Sequence, residues 1–397
     1  MSGYRSSIFA KLGNTMLKYL IMFYPIIISV GRYFNVVETL LTATMLFALA
    51  FSCGLKKRSF FKYLFICALL IISGYFDINV SRHISHVYVL LIFFFVMDCY
   101  NMGNYNKIIN YLDKSADLVM GQLMIVLAIN ILYFFTSEGY SSSYTDLWSM
   151  RAFCGVYTDP HQAAYHFSAL LVILLWLSHR QYNKMHYILL FGYEFCILMT
   201  GARVPTLLGI FIGVAFCWEH RLNSKSSERV QRVLGLLPMI LLGCVALYIA
   251  LTKTAFGQKL IIAMSATTFD SGRADVREMD FNFFKSASLI HKLFGSGTGT
   301  VMQSHATQWR SALWSHNDFT QMLCGMGCIM LVVYCFEYYT LLKRGFLQRQ
   351  WLQIAGVIVL VAVAFLNGLY IHSRFVFVIP LMMSYFDDLA KKEPNKI

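Results

Sequence analysis

Apolar stretches of about 16–26 residues recur along nearly the whole chain, separated by short polar pieces. As an α-helix, a stretch of that length crosses the roughly 30 Å hydrocarbon core of a bilayer. Each stretch is continuously apolar rather than alternating, which excludes a transmembrane barrel. The chain has 397 residues, of which 58% are hydrophobic and 13% charged. A soluble domain carries roughly 25% charged residues, and one soluble core could not bury this much apolar surface. The expected fold is therefore an all-α polytopic membrane protein, a single integral membrane domain over 1–397. Twelve spans are expected, near 17–33, 35–54, 62–76, 85–99, 116–136, 162–178, 187–201, 204–219, 233–252, 316–341, 351–369 and 373–389. The seventh and eighth turn round within Thr200-Gly201-Ala202-Arg203.

Lys and Arg fix the expected orientation. One set of connections, with the termini and flanking positions, holds 21 of the 33 Lys and Arg; the opposite face holds 12. Seven of those 12 lie in the long 253–315 connection, where the positive-inside rule has little force. Both termini are thus expected in the cytoplasm and the 253–315 loop outside. The net charge of +13 is mostly topology and gives no reason to expect nucleic acid as a partner. Arg5, Lys11 and Lys18 precede the first apolar run without a small-residue cleavage site, which reads as an uncleaved anchor. Almost all of the ten cysteines fall within spans, so no disulfide framework is implied. Cys324, Cys328 and Cys335 share one helix and read as packing residues rather than metal ligands.

Polar chemistry concentrates on the outer face, in segments 137–161 and 253–315. Within the second, Val276, Met279, Phe283, Ala287, Ile290 and Phe294 recur at gaps of three and four, one face of an amphipathic helix. Asp270-Ser271 suits its N-cap and Gly295 its end, with Arg273 in or just before the first turn. Gly295-Ser296-Gly297-Thr298-Gly299 is like a phosphate loop only superficially. It follows a helix and lacks the lysine, so it reads as a helix stop and turn. Arg151, Arg203, Arg273, Arg310 and Arg374 all map to the outer face. Guanidinium groups converging there would hold a lipid diphosphate; the alternative for each is interfacial anchoring by snorkelling. Glu194, near the middle of the seventh span, is either part of a proton pathway or a structural group, protonated or paired with arginine. His161 and His166 lack companions suited to a metal site.

At the start of the tenth span stands Trp314-Ser315-His316-Asn317-Asp318. Ser315 and Asp318 have the spacing of a capping box, so a helix should start there, with free N–H groups suited to an anion. A histidine, whose unperturbed pKa is about 6.5, suits proton removal from a hydroxyl near neutral pH. Together these residues describe an outer cavity for an anionic, membrane-embedded substrate.

Several segments, in order, resemble the bacterial O-antigen ligase and O-antigen polymerase superfamily. Ser315-His316-Asn317-Asp318 with Gly327 matches the family's pattern of His-Asn, nine residues, Gly. Arg203 after Thr200 and Ser271-Gly272-Arg273 are similar to the family's two arginine motifs; Arg151-Ala152-Phe153-Cys154-Gly155 is similar to a segment before a mid-chain span. The resemblance covers roughly residues 150–385. It implies a membrane glycosyltransferase of the GT-C-like type in the bacterial inner membrane, with a periplasmic active site and neither cofactor nor metal. The implied donor is a glycan on undecaprenyl diphosphate. The acceptor is a lipid-linked repeat unit for a polymerase, or lipid A-core for a ligase. Membrane lipids surround the enzyme, and a polymerase admits a chain-length regulator protein as a further partner. By the resemblance, His316 orients or deprotonates the acceptor, and Arg203 and Arg273 bind the diphosphate. Arg151, Asn317, Arg310 and Arg374 are expected to bind substrate. Met330 stands where ligases often carry Gly, Thr or Tyr, which favours polymerase. In a different class, a transporter of a lipid-linked sugar or organic anion would use Glu194 and the outer arginines, but no internal repeat supports it.

Overall fold

In the structure, a computed structural model, the apolar runs are helices. It describes residues 8–29, 35–53, 57–141, 152–181, 183–222, 248, 252, 273–309 and 314–392. Among these, all regular structure is helical apart from one isolated antiparallel bridge between Tyr140 and Phe153. In chain order the α-helices are α1 (Ile8–Met22), α2 (Tyr24–Ser29), α3 (Asn35–Cys53), α4 (Lys57–Tyr75), α5 (Val80–Asn101), α6 (Asn106–Lys114), α7 (Ala116–Phe134), α8 (Pro160–Arg180) and α9 (Met185–Met199). There follow α10 (Arg203–Leu222), α11 (Arg273–Ser286), α12 (Leu289–Phe294), α13 (Thr298–Trp309), α14 (Asp318–Gly325), α15 (Gly327–Leu347), α16 (Trp351–Leu366) and α17 (Ser373–Lys392). Eleven of the twelve expected span positions fall on these helices. The ninth, 233–252, lies outside the described residues apart from 248 and 252. Helices α5, α7 and α8 are long and apolar enough to cross a membrane; Phe60–Tyr75, α9 and α16 are apolar but shorter.

Two expected spans are each two helices. The first breaks at Phe23, just before Pro25, a residue that suits the opening turn of α2. The tenth breaks at Met326, and Gly327 opens α15 with φ +87°. The amphipathic helix expected from 271 to 295 is also divided, into α11 and α12. The Ser286 hydroxyl donates to the Phe283 carbonyl (2.9 Å), and Ser288, with extended backbone, is the N-cap of α12. Serines compete for backbone hydrogen bonds, so two of them in three residues favour a break. The expected face holds on α11, where Val276 is buried, but Ile290 on α12 is exposed.

The chain divides into two units. One comprises Met1–Tyr19, Thr39–Lys107 and Asp270–Pro380; the other comprises Leu20–Glu38, Ile108–Phe269 and Leu381–Ile397. In the second, α8 is buried on all sides from Ala163 to His179, as expected of a helix apolar all round. His179 pairs with Glu219 (2.5 Å), which also accepts from the Tyr385 hydroxyl (3.1 Å). In the first, Lys62 bridges Asp98 (2.7 Å) and Glu337 (2.5 Å), and the Tyr63 hydroxyl donates to Asp98 (2.6 Å).

The glycine-rich turn 295–299 has a packing role. The Ser296 and Gly297 amides donate to the carbonyls of Cys324 (3.0 Å) and Gly325 (2.9 Å). At the head of α13, the Asp77 carboxylate accepts from the Gly299 amide (2.7 Å), and from the Asn79 amide (2.8 Å) on its own loop. A protein carboxylate therefore occupies this helix N-terminus, in keeping with a helix stop rather than a phosphate cradle. Burial alone would raise the Asp77 pKa, but His83 and the amides of Asn79 and Gly299 outweigh it and hold the carboxyl below its ordinary value. With the folded pKa depressed, this stabilisation is present above the ordinary carboxylate pKa and is lost as pH falls through the folded one. The difference in melting temperature between the parent chain and Asp77→Asn should shrink as pH falls below about 4. A difference unchanged down to about pH 3 would show that the carboxylate is not the source.

Candidate active site

His316 sits in a turn whose geometry differs from a capping box. The N-cap of α14 is Asn317, not Ser315: its Oδ1 accepts from the amides of Phe319 (2.9 Å) and Thr320 (3.2 Å). Ser315 is buried and donates instead to Gln321 Oε1 (2.6 Å). Asp318 is the first helical residue, two positions earlier in the helix than a capping box would put it. The spacing of Ser315 and Asp318 misleads because Asn317, an equally good cap, lies closer to the apolar run.

His316 is half-buried and has φ +51°. Such a left-handed conformation costs a side-chain-bearing residue about 1–2 kcal/mol. The other non-glycine residue with positive φ among the described residues is Arg349, just past the end of α15, where a left-handed residue commonly stops a helix. His316 precedes a helix and ends none. Histidine is among the side-chain-bearing residues that adopt this region more readily than most, and the position carries a strain that glycine would not.

Asp318 is fully buried, and its Oδ2 collects three donors: the Tyr334 hydroxyl (2.6 Å) and the amides of Leu369 (2.7 Å) and Tyr370 (3.1 Å). The last two belong to the turn between α16 and α17. Gly368 in that turn has φ +80°, and a Cβ there would lie 2.9 Å from Asp318 Oδ1 and 3.0 Å from Trp314 Nε1. On the other side of His316, the Trp314 indole stacks on the His86 ring (centroids 4.7 Å, planes 10° apart) and meets Tyr370 edge-on at 5.5 Å.

Arg273 opens α11, as the sequence anticipates, and docks on the same 366–370 turn. Its guanidinium donates to the Leu366 carbonyl and to Asn367 Oδ1 (2.9 Å). A cation at the C-terminal carbonyls of α16 is favourable for the helix, so Arg273 has a structural task whatever else it does. Arg374 follows four residues after Tyr370 and is almost fully buried. Of the sequence-derived residues, Arg273 docks on this turn directly, His316 and Asn317 are joined to it through their neighbours Trp314 and Asp318, and Arg374 follows it in the chain.

Arg203 belongs to the second unit, where it is the first residue of α10 and half-buried. The tight turn before it depends on Gly201 (φ +67°) and on buried Thr200, whose hydroxyl donates to Ile197 and accepts from the Ala202 amide. The Phe153 amide donates to the Met199 carbonyl (3.2 Å), bringing the buried 152–157 segment to that turn. Arg151 and Arg310 lie outside the described residues. Glu194 packs against Gly209 and Gly213 of α10, and among the described residues no arginine pairs with it.

Sequence reading missed the role of Asp318, the 366–370 turn, and a buried pair in the same unit, His305 Nε2 with Asp280 Oδ1 (2.8 Å). Asp280 stands one turn after Val276 on the buried face of α11, and a carboxylate there was a readable sign of a partner. Among the described residues, no group of three His, Cys, Asp or Glu could hold a metal, and the described cysteines are unbridged. Compared with family models, curated proteins and solved structures, the chain matches none.

Proposed function

We propose that the chain is a twelve-span, GT-C-like membrane glycosyltransferase of the O-antigen polymerase type, acting at the outer face of the inner membrane. The observation that carries this reading is the strained, half-buried His316, in a turn joined through Asp318 to the 366–370 turn that holds Arg273. In the proposed reaction the imidazole of His316 takes the proton of the acceptor hydroxyl. That oxygen attacks the anomeric carbon of the donor glycan, and the bond from that carbon to the diphosphate oxygen breaks. The leaving undecaprenyl diphosphate keeps the electron pair, and Arg273 stabilises its charge. A diphosphate is already a good leaving group, so an arginine can do this work.

A transporter reading would rest on Glu194 and the outer arginines, and a further charged cluster inside the first unit is Lys62, Asp98 and Glu337. These pair with one another, and packing accounts for them. Deleting the gene tests the proposal. Loss of a polymerase leaves single repeat units on lipid or core. Long polymer accumulating on undecaprenyl diphosphate would instead identify a ligase, and unchanged glycan would remove the enzyme reading.

A further inference from the structure

We infer that Asp318 is a positioning residue that sets His316 against Arg273 through the 366–370 turn. A carboxyl at the first position of a helix ordinarily faces its own helix's free amides or solvent. Asp318 instead has its carboxyl turned inward at 0% exposure, where burial is expensive unless donors surround it. The three donors it collects come from α15 and from two successive amides of one turn. That same turn, through Leu366 and Asn367, holds the guanidinium of Arg273. Five residues, Leu366 to Tyr370, thus grip an arginine at one end and, through Asp318, the backbone two residues from His316 at the other.

Gly368 makes this grip geometrically available. Its left-handed conformation is natural for glycine, and a side chain there would strike Asp318 and Trp314. Tyr334 extends the network inward, its oxygen 2.9 Å from that of Tyr338, so the carboxyl is anchored to the body of α15. Losing the Asp318 carboxyl would untie the His316 turn from the Arg273 turn without removing either reacting group. The predicted defect is in alignment, and misplacement by about 1 Å can lower turnover about a hundredfold.

The test uses the purified full chain and diethyl pyrocarbonate, which modifies accessible imidazoles, with the labelled peptides quantified by mass spectrometry. In Asp318→Ala, labelling of His316 should rise about tenfold as its turn opens locally. Buried His83 and His305 should stay protected. In a transfer assay on lipid-linked repeat units, kcat should fall about a hundredfold with KM within about twofold. Asp318→Asn keeps an acceptor oxygen for the same donors and should bring both measures back to within about threefold of the parent.

Unchanged His316 labelling in Asp318→Ala overturns the inference. So does parallel labelling of His83 and His305, which would mark Asp318 as a general structural residue. If Asp318→Ala does not accumulate, Tyr334→Phe removes one of the three donors and should raise His316 labelling to a smaller extent; no rise there overturns the inference too. The kinetic readout rests on the glycosyl-transfer reading, whereas the labelling readout does not. Selective labelling of His316 in a chain that transfers no glycan would uphold the positioning role and remove the reaction.

Discussion

His316→Ala is expected to abolish glycan extension while leaving the protein at normal abundance in the membrane, with glycan ladders on gels and immunoblots as the two readouts. The imidazole is half-buried in a turn, and the helix start after it is capped by Asn317, so folding does not depend on it. His316→Gly sharpens the test. Glycine relieves the left-handed strain and should match or raise the parent's melting temperature, by up to about 1 kcal/mol of stability. An inactive variant at least as stable as its parent is the signature of a residue retained for chemistry at the expense of stability. Extension persisting in either variant would remove His316 from the reaction. Arg203→Ala should likewise lose extension, by about a hundredfold or more, if it stabilises the departing diphosphate.

Gly327→Ala should give the opposite pattern: little folded protein at all. Gly327 has φ +87°, and a Cβ built on it would lie 2.2 Å from the Leu293 carbonyl oxygen and 2.6 Å from the Gly295 amide nitrogen. Gly295 approaches equally closely from the other side, its own Cβ position 2.4 Å from the Gly325 carbonyl. Two backbones cross there with no room for side chains, and neither contact is with a flexible side-chain end. Left-handed strain and forced repacking together amount to a destabilisation on the order of 3–5 kcal/mol. Thermal melts and membrane abundance check it; a stable, abundant Gly327→Ala protein would mean the crossing is looser than described. His316 and Gly327 stand eleven residues apart in one motif, so the pair of variants separates its chemical half from its structural half.

Much of the fold is legible in the sequence because length and continuous apolarity are local properties: eleven expected span positions fall on described helices. Breaks were harder. The Met326 break depends on Gly295 meeting Gly327, a contact between segments some thirty residues apart, and no window along the chain contains it. The buried face of α11 was readable from its period at Val276, whereas the division after Ser286 depended on two serines that apolar spacing ignores. In the candidate site, residue types point to His316, Asn317, Arg273 and Arg374. The turn that organises them was invisible, because Asn367, Gly368 and Leu369 are unremarkable in sequence and act through backbone amides and one amide side chain. Spacing makes Asp318 a capping partner, since it cannot tell which way a carboxyl turns.

The first unit is assembled from stretches that lie far apart in the chain, with residues 39–107 joined by 270–380. Asp77 waits for Gly299, Lys62 for Glu337 and His86 for Trp314. During synthesis, α4 and α5 therefore emerge long before the partners that complete their packing. The site closes only when the 366–370 turn has been translated. A chain halted before that turn would carry His316 and Arg273 without the element that joins them. Maturation of the site thus waits on the last of these stretches to be made.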